Sequence, residues 1–308
     1  MDARLPGVKI EKLTGNAFIA HDLVDAPCAT GVVRVAPKVL QGGAKAMART
    51  TTYTFAVRGL KVGGASAGIS AEPDDVDGAL EAFVTGVADR VGDGRLAFDP
   101  GTGVGGDALS SLEAGDPRPA LHREVVDEMR VDDRLLGIGA VAAAMAAVDS
   151  TDGWTASVEP GPGAASVRAA LAEVGIDATA DTLDAQVDVL FCGARQGSLD
   201  GATSETVDAK VVVPIGPHAV SAKGLAVLTQ RGVVALPDFV TMAGPTYAGW
   251  PDGEVTIDAV IADCRAGITR IVTESLAHPE GAFLGACYTA EEFLATWQDE
   301  LPFGRPLA

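Results

Sequence analysis

The residues best suited to ligand chemistry form a glycine-rich turn, Gly-x-Gly-x-x-Ser, made by Gly161, Gly163 and Ser166. The turn follows an apolar run that ends at Val158 and precedes a segment with helical spacing of apolar residues. This pattern predicts the nucleotide-binding turn of a Rossmann unit, in which the glycines let the backbone approach a pyrophosphate and the helix N-terminus supplies positive potential. Glu159, just before the turn, opposes this function because its carboxylate repels a pyrophosphate.

A dinucleotide site also needs a second strand that ends in an acid about 20 residues after the glycines. Here the chain runs from Gly175 to Thr179 without a strand pattern and reaches the apolar run Val187–Cys192 soon afterwards. Asp181 lies at a suitable distance from the glycines, but no strand pattern precedes it. The sequence therefore predicts a shortened Rossmann-like domain from which one βα unit is missing, and it makes nucleotide binding doubtful.

A second candidate site lies in the stretch Thr51–Ser70, which predicts a short helix, a turn and a strand that ends in a Gly63-Gly64 loop. Neither glycine has a Cβ, so we expect the backbone there to approach a ligand closely. Ser66 has no basic residue beside it in the sequence that would activate its hydroxyl as a nucleophile. Lys61 lies five positions upstream, on the opposite side of a strand.

The cysteines and histidines do not indicate a metal site, because a structural zinc site needs ligands a few residues apart. The four cysteines are widely spaced and are expected to be reduced, mostly buried thiols. His21-Asp22 is expected to be a satisfied polar pair at a strand end, and His218, beside Pro217, a partly exposed loop residue.

Hydrophobic periodicity predicts the elements that hold these residues. Ala17–Ala20 and Gly31–Val35 are expected to form paired strands, and the segment 74–91 an amphipathic helix. The polar, glycine-rich segment 107–119 is predicted to cross between domains, and 134–147 to form a buried helix that is apolar on all sides.

Length and charge bound the class of protein. A chain of 308 residues is long enough for two domains, and no apolar run reaches the length of a membrane span. The net charge of −19 and the scarcity of lysine argue against nucleic-acid binding. The dispersed acids favour a halophilic source over an ordinary acidic protein. No secretory signal is visible, so a cytoplasmic location is expected.

The same stretches resemble, block by block and in order from Asn16 to Pro245, the Glu/Leu/Phe/Val dehydrogenases, and within them the leucine and phenylalanine branch. Thr52-Tyr53, Gly59-Leu60 and Gly63-Gly64 are in step with that family's active-site motif. Both lysines of the motif are replaced. Thr54 stands at the substrate-binding lysine, and Ser66, twelve positions later, stands at the catalytic lysine.

Three further positions follow from the resemblance. Asp99 matches the family aspartate that works with the lysine in acid–base chemistry, although an Asp before Pro100 also commonly caps a turn. Met242 stands where the family has the asparagine that binds substrate and nicotinamide, and Leu136 stands where the family has a threonine that faces the cofactor. The resemblance places Gly63, Gly64 and Met242 in the substrate cleft.

The resemblance implies an α/β protein with an N-terminal mixed αβ substrate and oligomerisation domain, residues 1–118, and a Rossmann-like domain, residues 119–308, whose C-terminal helices return to the hinge. The family reaction is NAD(P)-dependent oxidative deamination of an amino acid. Three hypotheses remain open: an active dehydrogenase, a relative without turnover that binds an amino acid, a nucleotide or a catalytic relative, and a different reaction that uses Asp99 and Ser66. A homo-oligomer is expected, or a hetero-oligomer with a catalytic relative.

Overall fold

The computed structural model describes residues 7–148, 153–302 and 304–307 of the chain. It divides into two compact units. The first unit comprises Met1–Arg118 and Glu291–Pro306, and the second comprises Pro119–Ala290 and Leu307–Ala308. Residues 107–118, predicted to cross between domains, lie in the first unit, where Leu109 and Leu112 are buried in its core.

The first unit is built on a mixed sheet. Its elements in chain order are β1 (Lys9–Lys12), β2 (Ala17–His21), β3 (Cys28–Ala36), α1 (Gln41–Ala56), β4 (Val62–Ser70), α2 (Val76–Gly92) and β5 (Leu96–Pro100). The strand order is β1-β2-β4-β3-β5. β3 is parallel to β4 and β5, whereas β2 is antiparallel to β1 and β4. The expected pairing of β2 with β3 is therefore wrong, because β4 lies between them.

Small residues explain how β4 fits at the centre of this sheet. Its sequence is VGGASAGIS, and a Cβ added at Gly64 would lie 1.7 Å from the carbonyl oxygen of Ala48 in α1. The helix backbone thus packs directly on the strand backbone. Gly63 and Gly64 lie inside the strand and not in a loop after it, so the predicted glycine loop is wrong: the glycines admit α1 to the sheet.

The two faces of the first sheet differ. One face carries the core that packs against α2, with Ala65, Ala67 and Ile69 of β4 facing Phe83 and Val87 of the helix. The predicted amphipathic helix at 74–91 is confirmed as α2, preceded by a short 3-10 turn. The opposite face is covered by α1 through small residues such as Ala44 and Ala48.

The second unit is built on a parallel sheet. Its elements are β6 (Val125–Val126), β7 (Met129–Arg130), α3 (Val131–Ala147), β8 (Ala156–Val158), α4 (Ala164–Glu173), β9 (Ala178–Ala180), β10 (Val187–Cys192), α5 (Thr203–Thr206), β11 (Ala209–Pro214), α6 (Ala222–Gln230), β12 (Val234–Ala235), α7 (Asp238–Thr241), α8 (Thr246–Gly249), α9 (Ile257–Leu276) and α10 (Ala282–Leu294), which runs on into the first unit. The strand order β12-β11-β10-β8-β9 is all parallel.

This order is that of a Rossmann sheet with one strand fewer. The usual order is 3-2-1-4-5-6, and β9, β8, β10, β11 and β12 correspond to strands 2, 1, 4, 5 and 6. The predicted shortened Rossmann-like domain is confirmed. The expectation that the second strand is missing is wrong, because β9 pairs with β8. Three small residues, Ala-Thr-Ala, are too few to produce a recognisable strand pattern.

The buried helix predicted at 134–147 is confirmed as α3. Its glycines allow close packing inside the second unit. A Cβ at Gly137 would lie 2.1 Å from the carbonyl oxygen of Ser166 in α4, and one at Gly139 would lie 2.6 Å from Ile268 Cδ1 of α9. α3 therefore fixes the position of α4, whose first turn follows the glycine-rich segment.

Candidate functional site

In the first unit, strand register places Ser66 and Asp99 on the same face of the sheet. Val32 of β3 pairs with Ser66 of β4 on one side and with Asp99 of β5 on the other. Residues that pair across neighbouring strands point to the same face, so the two side chains flank Val32, with Cα atoms about 10 Å apart, two strand spacings. The two positions with catalytic counterparts in the resemblance are thus brought to one face.

Asp99 forms an ion pair with Arg118, a partner that the sequence analysis missed. Arg118 Nη1 lies 2.7 Å from Asp99 Oδ2, while its Nε and Nη2 donate to the carboxylate of Asp116. Burial lowers the pKa of Arg118, but Asp99 and Asp116 outweigh burial and raise it above its ordinary value. The only sequence signal for this contact is an arginine in the segment that follows β5.

Ser66 also has an arginine partner. Its hydroxyl, in a fully buried side chain, accepts a hydrogen bond of 3.4 Å from Arg34 Nη2 of β3. Burial lowers the pKa of Arg34 from its ordinary value. Lys61 is exposed and precedes the first residue of β4. The group next to Ser66 is therefore a guanidinium rather than an ammonium.

The threonines of α1 serve the fold. The Thr54 hydroxyl donates to the carbonyl oxygen of Thr50 at 3.0 Å, inside its own helix. Thr52 Oγ1 accepts from the backbone nitrogen of Gly64 at 2.9 Å, which ties α1 to the central strand. Thr54, which the resemblance places at the substrate-binding lysine, is buried and hydrogen-bonded within α1.

His21 and Asp22 have separate partners. His21 Nε2 lies 3.0 Å from Glu11 Oε2, and burial lowers the pKa of this histidine although Glu11 opposes the shift. Asp22 accepts from Arg49 Nε and Nη2 at 2.7–2.9 Å in a buried ion pair. Both residues are satisfied, as expected, but by β1 and α1 residues that are distant in sequence.

In the second unit, the glycine turn has the predicted backbone shape. Gly163, the residue before α4, has φ of 83°, and a Cβ there would lie 3.1 Å from Leu136 Cδ2 and 3.2 Å from the carbonyl oxygen of Ile215. Ser166 Oγ donates to the carbonyl oxygen of Gly163 at 2.8 Å, so this hydroxyl closes the first turn of the helix. Leu136 presents an apolar side chain to the turn.

The carboxylate of Glu159 lies against this turn and is held by backbone amides. Its Oε2 accepts from the backbone nitrogens of Gly193 at 2.7 Å and Ala194 at 3.1 Å, and its Oε1 accepts from Ser198 Oγ at 3.2 Å. A Cβ at Gly161 would lie 2.9 Å from Ala194 Cβ, so the glycine turn and the Glu159-binding loop are in contact. The amides that follow β10 thus already bind an anion supplied by the chain.

The glycine turn has a left-handed residue, Gly163, before α4, but the Glu159 carboxylate beside the turn opposes a pyrophosphate. A dinucleotide would bring two negative phosphates beside the Glu159 carboxylate, and like charges at short range repel strongly away from bulk water. The charge of Glu159 therefore opposes the binding of a dinucleotide at this turn, although Asp181 directly follows β9, where a ribose-binding acid is usual.

Two remaining positions lie in the second unit. His218 is 4% exposed, has φ of 54°, and its backbone nitrogen donates to Asp238 Oδ2 at 2.6 Å. The expectation of a partly exposed loop residue is therefore wrong for His218. Met242 follows α7 as its C-cap and is half-buried.

The cysteines are free, as expected. Cys192, Cys264 and Cys287 are buried, and Cys28 is partly buried. Burial raises the pKa of the Cys28 thiol to about 11, and it raises the pKa of the fully buried Cys192 thiol even more. The thiols of Cys28 and Cys192 are therefore protonated at neutral pH and poor nucleophiles. Among the described residues, no helix is long and apolar enough to cross a membrane.

Comparison with known proteins agrees with the fold. The family model of the Glu/Leu/Phe/Val dehydrogenase dimerisation domain matches residues 9–98. Among curated proteins, none matches the sequence significantly.

Solved structures match over most of the chain. A hetero-hexameric glutamate dehydrogenase from Thermus thermophilus, in a leucine-bound form, is 18% identical, with a TM-score of 0.77 over 91% of this chain and 83% of its own. An L-tryptophan dehydrogenase from Nostoc punctiforme is 17% identical, with a TM-score of 0.70 over 94% and 96%. The glutamate dehydrogenase of Plasmodium falciparum is 13% identical, with a TM-score of 0.72 over 91% and 79%. At these identities the structures show a shared fold.

Proposed function

We propose that this chain is an amino-acid dehydrogenase homologue without ordinary oxidative deamination. The match of the Glu/Leu/Phe/Val dehydrogenase family model to residues 9–98 and the fold shared with solved dehydrogenases support this relationship. The chain binds a small α-amino or 2-oxo acid, in a binding or regulatory role. The family reaction depends on NAD(P), and the Glu159 carboxylate against the glycine turn supports the loss of that reaction.

The observation that carries the proposal is the nature of the cations beside Ser66 and Asp99. Their side-chain partners are the guanidinium groups of Arg34 and Arg118. A guanidinium remains protonated throughout the physiological pH range and cannot exchange a proton with a substrate, whereas a lysine with a lowered pKa can. Asp99 is held by Arg118, so the acid–base pair of the family has no counterpart in these contacts.

One observation favours the alternative, an active oxidoreductase with catalytic groups rearranged around Asp99. The Arg34 guanidinium beside Ser66 supplies a positive charge near the lysine position, and a fixed positive charge stabilises an oxyanion that develops on a substrate. This charge can polarise a 2-oxo group. Proton transfer would still need another group.

We further propose that the chain assembles through its first unit, either with a second copy or with a catalytic relative. The match to a dimerisation domain supports an oligomer. The hetero-hexameric assembly of the Thermus thermophilus glutamate dehydrogenase supports the mixed alternative.

The test is a turnover assay on the full chain. Leucine, valine, phenylalanine and glutamate are offered with NAD or NADP at alkaline pH, at low and at molar salt concentration. We expect no reduction of either nucleotide, together with a higher melting temperature in the presence of at least one amino or 2-oxo acid.

The control separates true turnover from contamination. Asp99→Asn is compared with Asp93→Asn, which changes an exposed acid paired with Arg95. Turnover that disappears in Asp99→Asn and persists in Asp93→Asn would overturn the proposal and support the active alternative. Binding of none of the acids by a folded protein would refute the proposed ligand class.

A further inference from the structure

Arg34 is a half-buried arginine, and no carboxylate balances its charge within the described part of the chain. Its Nη2 donates to the neutral hydroxyl of Ser66, and its Nε is buried without a hydrogen-bond partner. Arg90, Arg95 and Arg118, by contrast, each have a carboxylate within 2.7 Å. In a chain with 42 acidic residues and a net charge of −19, a half-buried guanidinium without an acid is unexpected.

A half-buried guanidinium without a carboxylate partner is unfavourable in free energy. A partly buried charge costs free energy unless an opposite charge or hydrogen bonds compensate for lost hydration. Burial is the cause that lowers the pKa of Arg34, with no contribution from an acid. The guanidinium offers five N–H donors in a planar fork, which matches the two oxygens of a carboxylate. Arg34 is therefore suited to bind an external anion.

The surroundings of Arg34 are open on one side. Arg34 Nη1 lies 3.9 Å from the position that a Cβ of Gly43 would occupy, in the first turn of α1. This 16-residue helix has no side-chain cap at Leu40 and no acidic residue in its first turn. Gln41 and Gly42 are exposed to solvent. An anion that reaches Arg34 can therefore also approach the free amides at the start of α1.

We propose that Arg34 binds the carboxylate of a small carboxylic acid, which lies between the guanidinium and the first turn of α1. This inference rests on the proposed function for its ligand class, an α-amino or 2-oxo acid. Arg34 is the carboxylate-binding residue, Ser66 is a neutral hydrogen-bonding neighbour, and the glycines of the first turn leave room for the ligand.

Calorimetric titration of the full chain tests the proposal. The probes are 2-oxo-4-methylpentanoate, leucine, propionate as a minimal carboxylate, propionamide as its neutral isostere, and inorganic phosphate. We expect the 2-oxo acid and propionate to bind and propionamide not to bind. Arg34→Gln should lower the affinity for the 2-oxo acid by roughly 10- to 100-fold, which corresponds to the loss of a charge-assisted hydrogen bond.

Two further variants keep the test decisive. Gly43→Asp places a carboxylate within reach of Arg34 Nη1 and at a favourable helix N-terminus, so it should raise the melting temperature while it abolishes binding. Arg34→Lys keeps the charge but loses the planar fork, so it should bind more weakly than the wild type and more tightly than Arg34→Gln. Arg95→Gln, which removes an exposed guanidinium, is the matched control and should bind like the wild type.

The outcomes separate this inference from the proposed function. Wild-type affinity for the 2-oxo acid in both Arg34→Gln and Gly43→Asp would refute the role of Arg34 and leave the proposed function standing. Phosphate binding without carboxylate binding would overturn the ligand class. Turnover in the amino-acid assay would refute the proposed function, whereas loss of 2-oxo acid binding in Arg34→Gln would still support the role of Arg34.

Discussion

Replacing Arg118 by methionine is the perturbation with the largest expected effect on the first unit. The guanidinium is 3% exposed and donates to Asp116, which is 6% exposed, to Asp99, and to the carbonyl oxygen of Phe98. Arg118→Met keeps an unbranched apolar stem, shorter than the arginine side chain, and removes all of these donors. The carboxylates that face it then lose their main compensating charge.

The expected cost follows from burial. Removing one partner of a buried ion pair costs about 3–5 kcal/mol, because the remaining charge is left in a poor environment. Most of this cost belongs to Asp116, since Asp99 is 35% exposed and an exposed pair contributes about 1 kcal/mol or less. Arg118→Met combined with Asp116→Asn should therefore recover roughly 1–3 kcal/mol relative to Arg118→Met alone.

Native-state hydrogen exchange of the β5 amides in the first unit is the suitable assay, because a chain with two units need not unfold in a single two-state transition. The matched control is Arg95→Met, in which a 60% exposed guanidinium is removed. The control should change stability by less than about 1 kcal/mol. A loss below about 1 kcal/mol for Arg118→Met, or a double variant no more stable than the single one, would contradict the reasoning.

Three other predictions concern packing, charge and pH. Gly64→Ala places a Cβ 1.7 Å from the carbonyl oxygen of Ala48, so α1 must shift and the first unit should lose at least about 2–3 kcal/mol in urea unfolding; an unchanged midpoint would show that the helix does not rest on this strand. Glu159→Gln removes the negative charge beside the glycine turn, so NADH should bind on the order of tenfold more tightly by fluorescence titration; equal affinities would show that the carboxylate does not exclude the nucleotide. Asp188 has a pKa lowered to about 2 by hydrogen bonds from a lysine and a threonine. Its contribution to stability is therefore present above about pH 4 and is lost as the pH falls toward 2, and Asp188→Asn should flatten the acid limb of a melting-temperature profile over that range.

Local patterns predicted several elements correctly. The apolar spacing of 74–91 and the all-round apolar segment 134–147 identified α2 and α3, because side-chain periodicity reports which face of a helix is buried. The glycines at 161 and 163 identified the turn before α4, because the left-handed backbone at Gly163 favours glycine. The short strand β9 was missed, since three small residues carry no period.

For the candidate site in the first unit, the sequence predicted the residue types but not the contacts among them. The sequence by itself determined that Thr54 and Ser66 carry no charge, that lysine is scarce and that an aspartate precedes Pro100. It also implied a related fold through the order of the motifs. These are properties of residue identity and of spacing along one segment, which need no knowledge of the packed chain.

The partners of those residues were decided by the tertiary structure. β3 lies between β4 and β5, and the pairing of its Val32 with both strands brings Ser66 and Asp99 to one face. Arg34 reaches Ser66 across 32 positions, and Arg118 reaches Asp99 across 19. Strand order and ion pairing at such separations depend on which surfaces pack together, and small residues such as Gly64 decide this by allowing a helix to rest directly on the central strand.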